Sequence, residues 1–157
     1  MELKSLDDVL ADQLRDLWSV EEQLVMALPR MVMAADSEKL AEVIGKHLDE
    51  TRNHVVRLVE LFGALRIAPP TELCQAMERI LSYGEEVVSS TGDAIAKDAA
   101  LIAVAQHVEH YEIAGYATAT RLAGELGLDD ASLLLAHTLS EEKNADERLG
   151  KLALVTY

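Results

Sequence analysis

Residues 101–152 read LIAVAQHVEHYEIAGYATATRLAGELGLDDASLLLAHTLSEEKNADERLGKL. Leu101, Val104, Val108, Glu112, Gly115, Ala119, Leu122 and Leu126 recur at steps of three and four, the spacing of a helix that buries one stripe. Gly127 suits the position just past that helix, where a left-handed backbone costs glycine least. Asp129 or Asp130 then opens a second helix, whose stripe runs Leu135, Leu139, Glu142, Asp146 or Ala145, Leu149 and Leu152. A connection confined to 127–129 forces the two helices into an antiparallel hairpin.

The N-terminal half repeats this design. Ser5 can cap a helix with Asp7 and Asp8 in its first turn, and Leu10, Leu14, Leu17, Leu24 and Leu28 form the stripe. Pro29 removes one backbone donor, yet MVMAA continues the apolar pattern, so a kink rather than a stop is expected there. Asp36 or Ser37 caps the next helix, with Leu40, Ile44, His47, Thr51, His54, Leu58, Leu61 and Leu65 along its stripe. The short break at 35–37 makes this pair a hairpin too. Pro69-Pro70 marks a linker, and Thr71 is expected to cap a shorter helix to about Ser89, carrying Leu73, Met77, Ile80, Leu81, Val87 and Val88. With ~18 helical residues spanning ~27 Å, this crossover can traverse most of a bundle. Hairpin, long crossover, hairpin is the order of an all-α, ferritin-like four-helix bundle with a short extra helix in the crossover. The chain 1–157 is expected to be one such domain.

Composition agrees and narrows the function. Half of the 157 residues are hydrophobic but only 4% are aromatic, so the core is aliphatic. Eight glycines and three prolines are too few for a turn-rich sandwich or barrel. A formal net charge of −14 opposes nucleic acid and anionic membranes as partners. The single cysteine, Cys74, excludes an internal disulfide and a cysteine-based zinc cluster, and points to a reducing compartment. The N-terminus has no secretory or transit pattern and no apolar run reaches 18 residues, so a cytoplasmic location is expected.

Acids interrupt the apolar stripes: Glu21, Glu112 and Glu142 lie on them, and Glu50 lies immediately beside one. A carboxylate buried in a low dielectric must protonate, pair or bind a metal. Glu21 and Glu50 each lie about 14 positions from the first hairpin turn, or ~21 Å along the helix. Glu112 and Glu142 stand at about the same distance from the second turn. His54, Glu109 and Asp146 follow one turn further on, at i, i+3 or i, i+4. Carboxylates and a histidine projected from helices into a bundle core are how a di-metal site is built. Such hard oxygen donors suit iron or manganese, with zinc still open. In the competing reading the acids are solvated or Arg-paired edge residues, or a polar network that sets helix register.

At these residues the sequence resembles the YciE/YciF family of ferritin-like bacterial stress proteins. The resemblance runs through LRDLWSVEEQLVMALPRM at 14–31, HLDETRNHVVRL at 47–58, CQAMERIL at 74–81, DAALIAVAQHVEHYEIAGYATATRLAGELGLDDA at 98–131 and TLSEEKNADERL at 138–149. AQxVEHYEIAxY at 105–116 is its most specific part. It implies a ferritin-like bundle with two metal ions, ferroxidase-type activity, small homo-oligomers and a role in stress responses. It carries Glu21, Glu50, Glu109, Glu112 and Glu142 over as ligands. The chain departs from the Glu-x-x-His pattern of ferritins and rubrerythrins, because Asn53 and Ala145 stand at +3 from Glu50 and Glu142, with His54 and Asp146 at +4.

The combined expectation is two ions, iron or manganese, bridged by Glu50 and Glu142, with Glu21 and Glu112 terminal and His54, Glu109 and Asp146 completing the shell. His47 is the alternative to His54. The reaction would be Fe(II) oxidation or the handling of peroxide or O₂. The alternative function is a non-catalytic stress-response interaction module; iron storage is a third reading. Tyr111 and Tyr116 are expected chiefly to pack, although either can reach a ligating carboxylate. His110 is expected outside the metal shell, where it can orient a ligand. His107 and His137 are read as surface residues, and Cys74 as a small buried hydrophobe under the crossover. Trp18, Val25 and Val32 offer a second apolar face, and a homodimer is expected.

Overall fold

The structure, a computed structural model, describes residues 1–156, with side chains through Ala153. Its elements are α1 (Leu6–Ala34), α2 (Glu38–Leu65), α3 (Gln75–Val88), α4 (Ala94–Glu125) and α5 (Asp129–Thr156). No strand occurs among the described residues.

Helix starts follow the capping chemistry. Ser5 and Asp8 form a reciprocal capping box at α1. Ser37 accepts the Leu40 amide at α2, and Asp93 accepts the Ala96 amide at α4. Pro29 lies inside α1 without ending it. Gly127 adopts φ +71°, and the Leu128 amide reaches back to the Ala123 carbonyl at 2.9 Å, closing α4 in the manner expected of a C-terminal glycine. The start of α3 departs from expectation. Thr71 caps nothing; the helix begins at Gln75, with Cys74 in the cap position and no side-chain capping bond. The cause lies on α1, where Ser19 Oγ accepts the Cys74 amide at 2.8 Å and Gln23 Nε2 donates to the Cys74 carbonyl at 3.1 Å. These bonds hold the linker non-helical up to Cys74 and leave Leu73 60% exposed.

The long helices pack in a ring, α1 on α2, α2 on α5, α5 on α4 and α4 on α1, while α3 covers the α1/α4 side. This is the expected ferritin-like bundle. The crossover returns α4 to the end of the bundle where α1 meets α2. There the buried Asp98 accepts the amides of Asp36 and Ser37, both at 2.8 Å. The apolar core is in two parts. One gathers Leu24, Leu28, Ile44, Leu101 and Val104 near that turn; the other gathers Leu14, Leu17, Leu58, Phe62 and Leu135 towards the opposite end.

Asp98→Ala removes both acceptors and leaves two amides of the turn unpaired. It is expected to cost about 1.5–3 kcal/mol in urea unfolding, because each bond is made to a charged acceptor. A loss below about 0.5 kcal/mol would mean that water replaces the carboxylate freely.

Candidate metal centre

Between the two apolar halves lies a polar layer. Glu21 on α1, His47, Thr51 and His54 on α2, Glu109 and Glu112 on α4 and Glu142 on α5 are all buried, five of them completely. The α2 residues follow one another at steps of four and three, so all face inward. Two groups of ligand atoms converge. His47, Glu109, Glu112 and Glu142 bring theirs within 4.8 Å of one another, as do Glu21, His54 and Glu142. Glu142 belongs to both.

In the first group His47 Nδ1 lies 3.1 Å from Glu109 and 3.7 Å from Glu142, and Nε2 lies 3.7 Å from Glu112. In the second, His54 Nδ1 lies 3.1 Å from Glu21 Oε1 and 2.9 Å from Glu142 Oε1. Tyr116 donates to the same Glu21 oxygen at 2.5 Å. Its ring also packs in the second apolar cluster, so it performs both roles weighed for it.

The donor set fits bound cations. Of eleven buried side-chain nitrogen and oxygen atoms without a hydrogen-bond partner among the described residues, eight belong to Glu21, His47, Glu109, Glu112 and Glu142. Several of these atoms sit at ion-pair distance from a neighbour without the alignment of a hydrogen bond. Buried polar atoms are almost always satisfied, so this concentration is one that a cation at their centre could satisfy.

Glu50 and Asp146 are not brought into either group. Glu50 turns to α5, where Arg148 Nη2 meets it at 3.1 Å. Asp146 turns towards α4, accepting from Gln106 at 3.3 Å and lying 3.1 Å from the exposed His110. The inward place on α5 is taken by Ala145, which is fully buried. The structure brings in both His47 and His54, where the sequence presented them as alternatives. Tyr111 donates instead to Asp16 at 2.7 Å, with Cys74 Sγ 3.2 Å from its hydroxyl.

Glu141 and Arg57, unremarked in the sequence, border the layer. Arg57 pairs bidentately with Glu141 at 2.7 and 3.1 Å, and Glu141 Oε2 lies 2.7 Å from His54 Nε2. The Glu-Glu doublet at 141–142 was the available signal: adjacent helix residues point about 100° apart, so one can face the core while the other faces the seam.

Over residues 5–156 the chain matches a family described as a domain of unknown function, DUF892. The chain belongs to the DUF892 family. Protein YciF of Escherichia coli (strain K12) is 42% identical over 157 residues, covering 98% of this chain and 93% of that protein. The crystal structure of the E. coli stress protein YciF matches this DUF892 chain with a TM-score of 0.94 at 39% identity, over 98% of each chain. YcfI from Rhodopseudomonas palustris, provisionally described as a structural protein, matches at 0.89 with 36% identity over 95% of each chain. A protein from Xanthomonas campestris pv. campestris, 17% identical, shares the fold alone at a TM-score of 0.77, over 96% of this chain and 92% of that one.

Electrostatics in the layer are mutual. Burial first, then the charge of Glu142, pushes the Glu109 carboxyl well above the usual range. Burial and the charges of Glu142 and Glu21 do the same to Glu112. Burial works against a charged His54, but its close contacts with the Glu142 and Glu21 carboxylates outweigh this and raise its pKa from 6.5 to about 11. Burial likewise opposes ionisation of Glu142, yet the bond to His54 holds it below the ordinary value. Without a metal, the His54 imidazolium therefore serves as the cation between Glu21 and Glu142.

A group that binds its proton more tightly when folded stabilises the fold below its unfolded pKa and loses that contribution as pH rises through its folded one. His54 gives this slope between 6.5 and about 11. The raised carboxyls of Glu109 and Glu112 act in the same direction above 4.5. The depressed pKa of Glu142 has the opposite effect, and its contribution is lost on acidification below 4.5. Chelator-treated protein should therefore melt at progressively lower temperature as pH rises from about 6.5 to about 9.5. A flat calorimetric profile over that range would remove the charged network from the account.

Proposed function

We propose that this protein is a di-metal carboxylate protein of ferritin-like type, holding two divalent ions, iron or manganese, in the two groups that share Glu142. The observation that carries the reading is the set of eight orphaned ligand atoms in an otherwise apolar core. In the first position His47, Glu109, Glu112 and Glu142 offer four donors; in the second Glu21, His54 and Glu142 offer three, one fewer. Donors that are mostly carboxylate oxygen, with one imidazole in each position, favour iron or manganese over metals that prefer thiolate. When bound, such a pair supplies redox chemistry, with Fe(II), peroxide or O₂ as its substrate. The chain's own part is to keep the ions a shared carboxylate apart, to hold Glu21 through the Tyr116 hydroxyl and to exclude bulk water with two apolar plugs.

The relation to a stress protein supports a role in stress response. No described helix is long and apolar enough to cross a membrane; a cytoplasmic location is part of the proposal. A homodimer is part of the same proposal. Trp18, Val25 and Val32 remain half-buried, and light scattering at micromolar concentration reads the assembly.

One observation favours the rival, a non-catalytic helical module. His54 already satisfies Glu21 and Glu142 as an internal cation, so the layer can act as a register-setting network without metal.

Metal stoichiometry separates the two. Chelator-stripped protein should take up two equivalents of Fe(II) or Mn(II) under anaerobic conditions. Ions at a hundredfold excess over Kd should stabilise it by about 2.7 kcal/mol for each occupied position, a rise of roughly 5–10 °C in Tm per ion. Glu112→Ala should lose one equivalent, Glu21→Ala the other, and Glu142→Ala both. Absence of any uptake or Tm shift in the unaltered protein would leave the rival in possession.

A further inference from the structure

The second position differs from the first in having a support that reaches the surface. Arg57 donates to both oxygens of Glu141 and to Thr138 Oγ1 at 3.0 Å, which fixes its guanidinium between α2 and α5. Exposed His137 Nε2 adds a contact to Glu141 Oε1 at 3.0 Å. The carboxylate so held presents Oε2 to His54 Nε2 at 2.7 Å. In the metal-free imidazolium both ring nitrogens donate to carboxylates; because a carboxylate paired to an arginine only accepts, Nε2 would keep its proton when an ion takes the place of the Nδ1 proton beside Glu21 and Glu142. His47 has no such partner: both its nitrogens face the acids of the first position, and neither makes a hydrogen bond.

We propose that Glu141, clamped by Arg57, is a positioning residue for the second ion: it fixes the tautomer and ring orientation of His54, so that Nδ1 is the coordinating atom. This deepens the di-metal reading and rests on it. Outer-shell carboxylates on ligating histidines orient the ring and raise its donor strength, and their loss costs 10–100-fold in metal affinity. Because the clamp touches one histidine only, the two positions should respond differently when it is removed. Glu141 is itself partly exposed, with a side-chain accessibility of 22%, so its replacement need not disturb the core.

The test is Co(II) titration of chelator-stripped, full-length protein, followed by the visible absorption of each equivalent. The equivalent that Glu21→Ala abolishes identifies the second position. Glu141→Gln and Glu141→Ala should weaken that equivalent 10–100-fold and alter its spectrum, while leaving the other within about twofold. Glu141→Asp, which keeps the carboxylate, should recover part of the affinity. Unchanged affinity for both equivalents in Glu141→Ala would overturn the positioning role while leaving the di-metal reading intact. Equal weakening of both would also overturn it, assigning Glu141 to the bundle as a whole. If the unaltered protein takes up no cobalt, iron or manganese, the di-metal reading fails and this inference falls with it.

Discussion

The bundle is organised around one electrostatic constraint: four carboxyl groups, those of Glu21, Glu109, Glu112 and Glu142, are buried at mid-height and must be protonated, paired or metal-bound. An aliphatic side chain at any of these places would contribute about 1.5–3 kcal/mol of burial. Ionisable groups at six positions of the layer forgo that gain and break the apolar core in two. A layer so costly to stability fits the metal site proposed for it. Without metal its internal compensation is the His54 imidazolium between Glu21 and Glu142; the ions proposed for the layer would replace that proton in the second position and supply the charge that the first position lacks.

Most of the fold was legible in the sequence because the signals were local and mutually consistent. Ser5, Ser37 and Asp93 are strong cap formers, Gly127 allows the left-handed exit, and the stripes keep helical spacing over many turns. Where a tertiary contact overrode local preference, the reading failed. Thr71 is a good cap by type, but Ser19 and Gln23, some fifty residues earlier in the chain, hold the Cys74 backbone and set the start of α3.

The site was half legible for a geometrical reason. Counting residues from the turns gives depth along a helix, and at that level Glu50 belongs with the others. Depth says nothing about direction around the axis. Thr51 occupies the inward direction at that turn of α2, and Glu50, one residue back, points instead at Arg148. The same holds for Ala145 and Asp146 on α5. The two histidines were separable from Glu50 only by asking which of His47, Thr51 and His54 share one stripe. For Glu141 the doublet with Glu142 was the one signal, and it could not name the partner, an arginine 84 positions away in sequence.

The two pairs that join α2 to α5 have charges in opposite order: Glu50 faces Arg148, and seven residues on, Arg57 faces Glu141. Seven residues is also the step by which packed helices can slide and still match apolar stripe to apolar stripe. Sliding one way brings Glu50 opposite Glu141; sliding the other brings Arg57 opposite Arg148. Either slip sets like charges against each other in a partly buried seam. The hydrophobic pattern alone would accept three alignments of these helices, and the charges reject two of them. The pairing is thus an alignment key, and it keeps His54 level with Glu142.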